Sequence, residues 1–125
     1  MPQFKEAAAT LPVSDVDAAK AFYGGTLGLE LVEEAAGGLY YRAGSSSVFV
    51  YPSQFAGTNQ ATAATFEVAD LEAAVGELRG KGVAFEDYDY PELKTVDGIA
   101  DLDGEKAAWF KDPSGNILSL GQRGS

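Results

Sequence analysis

The sequence predicts an α+β fold: two tandem β-α-β-β-β modules forming an open, curled mixed sheet with the helices on its outside. Three observations carry this. The stretch VSDVDAA at residues 13–19 returns as VADLEAA at 68–74, an offset of 55. Gly28 and Gly82 follow the two copies at an offset of 54, so the second helical region is one residue shorter. Each copy also sits in the same order of elements, a strand before the helix and further strands after it.

The elements follow from periodicity and punctuation. EAAATLPV, residues 6–13, is a strand-like run of mostly small side chains. Val16, Ala19, Phe22 and Tyr23 then share one face of a helix, as do Leu71, Ala74, Val75 and Leu78 in the second copy. Asp15 and Asp70 stand at the two N-cap positions, where a carboxylate accepts from the orphan N–H groups of the first turn. Asp17 and Glu72 add charge that the helix dipole favours, and Gly28 and Gly82 suit the left-handed residue beyond each helix. LELVEE, LYYRA and SVFVYPS read as three strands in the first copy; GVAFEDYDY, IADLDG, EKAAWFKD and NILSLGQ follow the second helix. DPSGN at 112–116 is a tight turn, since Pro113 fixes one backbone angle and Gly115 permits positive φ. SQFAGTNQATA at 53–63 is polar and turn-rich, which divides the chain into a first module at 1–56, a linker at 57–62 and a second module at 63–125. PELKTVDG at 91–98 shows no periodicity and reads as a loop of the kind that lies over binding sites.

Composition removes several functions. The 125 residues hold no cysteine and no histidine, so there is no disulfide framework, no thiolate and no imidazole base or ligand. The net charge of −10 comes from 19 acidic against 9 basic residues, which disfavours phosphate backbones and anionic membrane surfaces. It favours solubility and attracts cations. No apolar run approaches a membrane span and MPQFKEAAA lacks a leader's basic and apolar regions, so the expected location is cytoplasmic.

The stretches LPVSDVDAAKAFYGGTLGLEL, FEVADLEAAVGELRGKGVAFE and AWFKDPSGNILSL, in this order, resemble the vicinal oxygen chelate superfamily of glyoxalases, extradiol dioxygenases and bleomycin resistance proteins. The resemblance spans nearly the whole chain. It implies two sheets curling into a trough whose concave faces bind the ligand. It also implies metal ligands on the first strand of each module, five residues before the Val that precedes the helix, and on the last strand, seven residues after the Asp of the DP turn. Those positions here are Ala8, Ala63 and Ser119, with Val50 or Tyr51 as the first module's counterpart. None is a His, Glu or Gln, so a ligand-deficient member with no metal and no cofactor is expected.

Strand alternation selects the residues left to face the trough. If Ala108 and Phe110 pack beneath a helix, Trp109 and Lys111 face the other way. Thr10 and Pro12 share the face of Ala8, and Thr65 and Glu67 share that of Ala63. The expected ligand-binding set is Thr10, Tyr51, Thr65, Glu67, Tyr88, Trp109 and Ser119, with Tyr40 or Tyr41 and Tyr90 as further aromatic surface. Glu67 has two readings: a general base with a raised pKa, or a structural carboxylate that is paired with Lys111 or Arg42 or lies at the solvated end of its strand.

Three functions compete at this stage. The first is a metal-independent protein that sequesters a small organic molecule, aromatic or cationic, by stacking and cation–π contact. The second is a metal-free lyase or isomerase using Glu67 as base. The third is an accessory domain without catalysis. A homodimer is expected because open sheet edges need covering and because the resemblance implies modules paired across a two-fold.

Overall fold

The computed structural model describes residues 2–123. The chain divides into two compact units, Met1–Ala63 with Asp112–Asn116, and Ala64–Lys111 with Ile117–Ser125. The class is α+β, with one four-stranded sheet in each half.

In the first unit, β1 (Ala8–Val13) leads into α1 (Val16–Ala19), followed by β2 (Glu30–Ala35), β3 (Gly38–Ala43) and β4 (Ser46–Pro52). The sheet order is β1-β4-β3-β2, with β1 parallel to β4 and the other pairs antiparallel. Pro12 sits in an outer strand, where a missing N–H costs least. Asp15 caps α1 by accepting from the Ala18 N–H at 3.1 Å. The helix is not regular to its end: Lys20–Thr26 widens into a π-helix, with the Leu27 N–H donating five residues back to Phe22. Periodicity alone does not separate the two registers. Wide turns persist where something else holds them, and here the buried Tyr23 is held at its hydroxyl by Asp112, at 2.6 Å. Leu11, Val13, Ala19, Tyr23, Leu39, Tyr41, Val48 and Val50 form the core, on the face of the sheet that α1 covers.

β5 (Thr62–Glu67) enters the second unit at Ala64 and precedes α2 (Leu71–Gly80), which Asp70 caps through the Ala73 N–H at 3.1 Å. Thr62 and Ala63 therefore already belong to a strand rather than to the connecting stretch. Gly28 and Gly82 take φ values of +74° and +92°, in the left-handed region expected beyond each helix. The sheet order is β5-β10-β9-β8, where β8 is Ala100–Leu102, β9 Glu105–Lys111 and β10 Ile117–Gln122. Partners along β5 and β10 advance together, Thr65 with Ser119 and Val68 with Gly121, so this pair is parallel like β1 and β4. Leu71, Val75 and Leu78 of α2 pack on Ala108, Phe110, Leu118 and Leu120. Burying each such large apolar side chain contributes on the order of 1.5–3 kcal/mol.

Two expectations are corrected here. GVAFEDYDY does not form a strand along the sheet. Phe85 bridges Phe110 and the Glu86 N–H reaches the Trp109 carbonyl at 2.8 Å, and then the chain leaves β9. It turns back on itself as the short pair β6 (Asp89–Tyr90) and β7 (Leu93–Lys94), so 91–98 is half of a hairpin rather than an irregular loop. The cause is Asp87, whose carboxylate oxygen accepts from the Thr95 hydroxyl at 2.7 Å and the Gly98 N–H at 2.8 Å. Among the described residues no helix is long and apolar enough to cross a membrane.

Candidate functional site

Each sheet has a helix on one face, and the residues singled out from the sequence lie on the other. In β1, Leu11 and Val13 are buried while Thr10 is exposed, and the register sets Thr10 opposite Phe49 and Pro12 opposite Tyr51. The same alternation in β4 buries Val48 and Val50 and leaves Phe49 and Tyr51 half-buried. Tyr51, not Val50, is therefore the residue of this strand on the open face. In β3 the open-face tyrosine is Tyr40, opposite Phe49; Tyr41 is 1% exposed and packs in the core near Tyr23.

The first unit thus carries a row of rings. Tyr40 and Phe49 have centroids 4.5 Å apart, and Phe49 stacks on Tyr51 at 6.0 Å with planes 7° apart. Such arrangements add about 0.5–1.5 kcal/mol per pair beyond area burial and leave π faces for a further ring. The Thr10 hydroxyl donates to its own strand, to the Ala8 carbonyl at 3.2 Å. A groove of about 300 Å³ borders the row, lined by Glu6, Val32, Glu33, Tyr40, Arg42 and Ser47. Glu6 accepts from the Ser47 hydroxyl at 2.7 Å, and Arg42 lies 3.6 Å from Glu30. Phe49 is absent from the sequence-derived set, although the alternation of SVFVYPS already placed it on the face of Tyr51.

The second unit gathers the other five. Trp109 stands opposite Ser119 on paired strands, with Ala108 and Phe110 buried on either side of it. Ser119 is 4% exposed and its hydroxyl meets that of Thr65 at 2.8 Å. Tyr88 approaches Trp109 edge-on, centroids 5.5 Å apart and planes at 76°, and Tyr90 stacks on Tyr88 at 6.0 Å. Burial raises the Tyr88 phenol above its ordinary pKa, helped by Glu86 and Tyr90.

Glu67 is placed differently from a buried base. It is exposed, and its carboxylate accepts from the Arg123 guanidinium. That hydrogen bond holds the Glu67 carboxyl below its usual value, opposite in direction to the shift a general base needs. The partner is also not one of those expected: Lys111 is 3.8 Å from Glu86, and Arg42 faces Glu30. Arg123 lies past the last predicted strand, where pattern gave no reason to seek it.

The donor set does not suit a metal. The side chains of Ala8 and Ala63 carry no donor atom, the Ser119 hydroxyl is engaged with Thr65, and Tyr51 is a ring in a stack. Among the described residues no buried side-chain nitrogen or oxygen lacks a hydrogen-bond partner. Nor do any three acidic side chains converge there as a metal would require. What these faces offer is π surface, hydroxyls and carboxylates.

An antiparallel strand trio closed by a parallel outer strand, crossed by one helix and occurring twice in the chain, defines a glyoxalase-like fold. The family model described as the Glyoxalase/Bleomycin resistance protein/Dioxygenase superfamily matches residues 6–120, and the chain belongs to that superfamily. Solved structures agree on the fold. A glyoxalase family protein from Enterococcus faecalis is 26% identical with a TM-score of 0.71, covering 94% of this chain and 98% of its own. UcmS2 is 21% identical at 0.75, covering 96% and 98%. TnmS3, an antibiotic binding protein from Streptomyces sp. CB03234, is 23% identical at 0.68, covering 98% of each. A comparison with curated proteins finds no match.

Proposed function

We propose that the protein binds a small, flat organic molecule on its aromatic open faces and does so without a metal, as a sequestering protein rather than an enzyme. The observation that carries this reading is the placement of rings where a superfamily member of this fold has no helix to cover them. Tyr40, Phe49 and Tyr51 form such a row in the first unit, and Tyr88 and Trp109 form a second in the other. The methyl groups of Ala8 and Ala63 support the metal-free part. Glu6 and Glu33 beside Tyr40, together with the net charge of −10, favour a cationic or amino-bearing ligand. The likeness in fold to TnmS3, an antibiotic binding protein, accords with a binding role. The lyase or isomerase reading loses support because Glu67 is ion-paired at the surface.

Native mass spectrometry of freshly purified protein tests this reading. A reproducible organic adduct with no metal mass supports it; a stoichiometric transition metal contradicts it. The same spectrum reports the homodimer we also propose, and fractionation of the producing cells tests a cytoplasmic location.

A further inference from the structure

Tyr88, edge-on to Trp109, follows directly on Asp87, whose carboxylate ties this segment to Thr95 and Gly98. Asp87 Oδ1 accepts from the Gly98 N–H at 2.8 Å and from the Thr95 hydroxyl at 2.7 Å. The Thr95 oxygen in turn accepts the Tyr88 N–H at 2.8 Å, and the Thr95 N–H donates to the Tyr88 carbonyl at 2.9 Å. Both backbone polar groups of Tyr88 are therefore held by Thr95, and the rotamer of Thr95 is held by Asp87. From the other side, Arg79 of α2 donates to the Asp97 carbonyl at 2.6 Å and lies over the Phe85 ring at 5.5 Å. The turn of this hairpin is fixed at its base, while Tyr90 at its tip is exposed.

We infer that Asp87 is the positioning residue for the aromatic wall of the second unit: through Thr95 it sets where Tyr88 stands against Trp109, and so how much of the indole a flat ligand can cover. A wall already fixed before binding loses little freedom when the ligand arrives, whereas a loosened one must be ordered at the expense of affinity. The acceptor geometry matters here rather than the charge, since both groups on Asp87 Oδ1 are neutral donors. The inference rests on the ligand reading above for its consequence, though not for the placement of Tyr88.

Trp109 is the one tryptophan in the chain, so its emission and near-UV dichroism report the Tyr88 contact with no ligand present. The experiment compares Asp87→Ala, Thr95→Val and Asp87→Asn with wild type by these spectra and by calorimetric titration with proflavine, a planar aromatic cation. Asp87→Ala and Thr95→Val are expected to shift and weaken the Trp109 signals and to lower proflavine affinity about fivefold, the effect of losing one hydrogen bond's worth of order. Asp87→Asn keeps an oxygen that accepts from both donors and is expected to restore spectrum and affinity. Because Asp87 is exposed and Thr95→Val nearly conserves the volume of a half-buried side chain, far-UV melting should show all three variants folded. Wild-type spectra in Asp87→Ala, or an Asp87→Asn spectrum matching that of Asp87→Ala, would overturn the inference. Absence of proflavine binding by wild type contradicts the ligand reading alone, and the spectra still decide the placement of Tyr88.

Discussion

The hydroxyl of Tyr23 donates to Asp112 Oδ2 at 2.6 Å, across 89 positions of sequence, with the tyrosine 0% and the aspartate 4% exposed. The same carboxylate accepts from the N–H groups of Ser114 and Asn116 and from the Asn116 side chain, which also donates to the Pro12 carbonyl at 2.6 Å. One buried charge is thus satisfied by four donors, and the helix, the first strand and the 112–116 turn meet on it. A buried acceptor of this kind is costly to leave short of a partner. Tyr23→Phe is expected to lower unfolding free energy by about 1–3 kcal/mol, read by urea denaturation.

The same contact sets a pH dependence. Burial, and then the hydrogen bond to Asp112, raise the Tyr23 phenol far above its ordinary 10.0. The unfolded chain therefore loses this proton first. Stability from Tyr23 is full below pH 10.0 and declines as pH rises beyond it, because the native state keeps a proton that the unfolded state has released. Tyr41 and Tyr88 shift in the same direction, so wild-type stability should fall steeply above that pH. Tyr23→Phe should show a shallower decline, measured as urea midpoints across alkaline buffers; equal slopes would contradict this.

Arg123 should control the titration of Glu67. The hydrogen bond from Arg123 places the Glu67 carboxyl below its ordinary 4.5. A depressed value means that the contact stabilises the fold above the unfolded value and is lost as pH falls through the folded one. Carbon-detected NMR should give a Glu67 midpoint below 4.5 in wild type, moving upward in Arg123→Ala. A Glu67 midpoint above 4.5 in wild type would instead revive a role as base.

Capping can be tested on α2. Asp70 accepts from the Ala73 N–H at 3.1 Å. Asp70→Ala should cost about 1 kcal/mol of stability, whereas Asp70→Asn should cost little, since asparagine caps nearly as well. Thermal or chemical melts of the two variants check the ordering.

Much of this was legible from pattern, and the reasons are local. Asp15 and Asp70 announced their helices because a cap and the apolar stripe behind it lie within one turn of chain. Trp109 could be assigned to the open face because alternation needs only its neighbours Ala108 and Phe110. The misses are of another kind. The π-helical widening after Ala19 depends on what anchors Tyr23, and Asp112 lies far along the chain. GVAFEDYDY has the residues of a strand, yet Asp87 closes a hairpin with Thr95 and Gly98 and takes the segment off the sheet. Glu67 meets Arg123, 56 residues on. Tyr23 and Glu67 meet partners 89 and 56 positions away, beyond any local window, whereas Asp87 meets Thr95 and Gly98 only 8 and 11 positions on, through a side-chain contact that strand periodicity does not register.

Binding of a flat organic molecule to the aromatic open faces is the central proposal. Calorimetric titration of proflavine into wild type, Trp109→Ala, Tyr51→Ala and the double variant tests it most directly. Micromolar binding is expected in wild type and, where a stacking ring is removed, a loss of about tenfold, which corresponds to about 1.4 kcal/mol. Wild type that evolves no binding heat, or a double variant that binds as tightly as wild type, would contradict it.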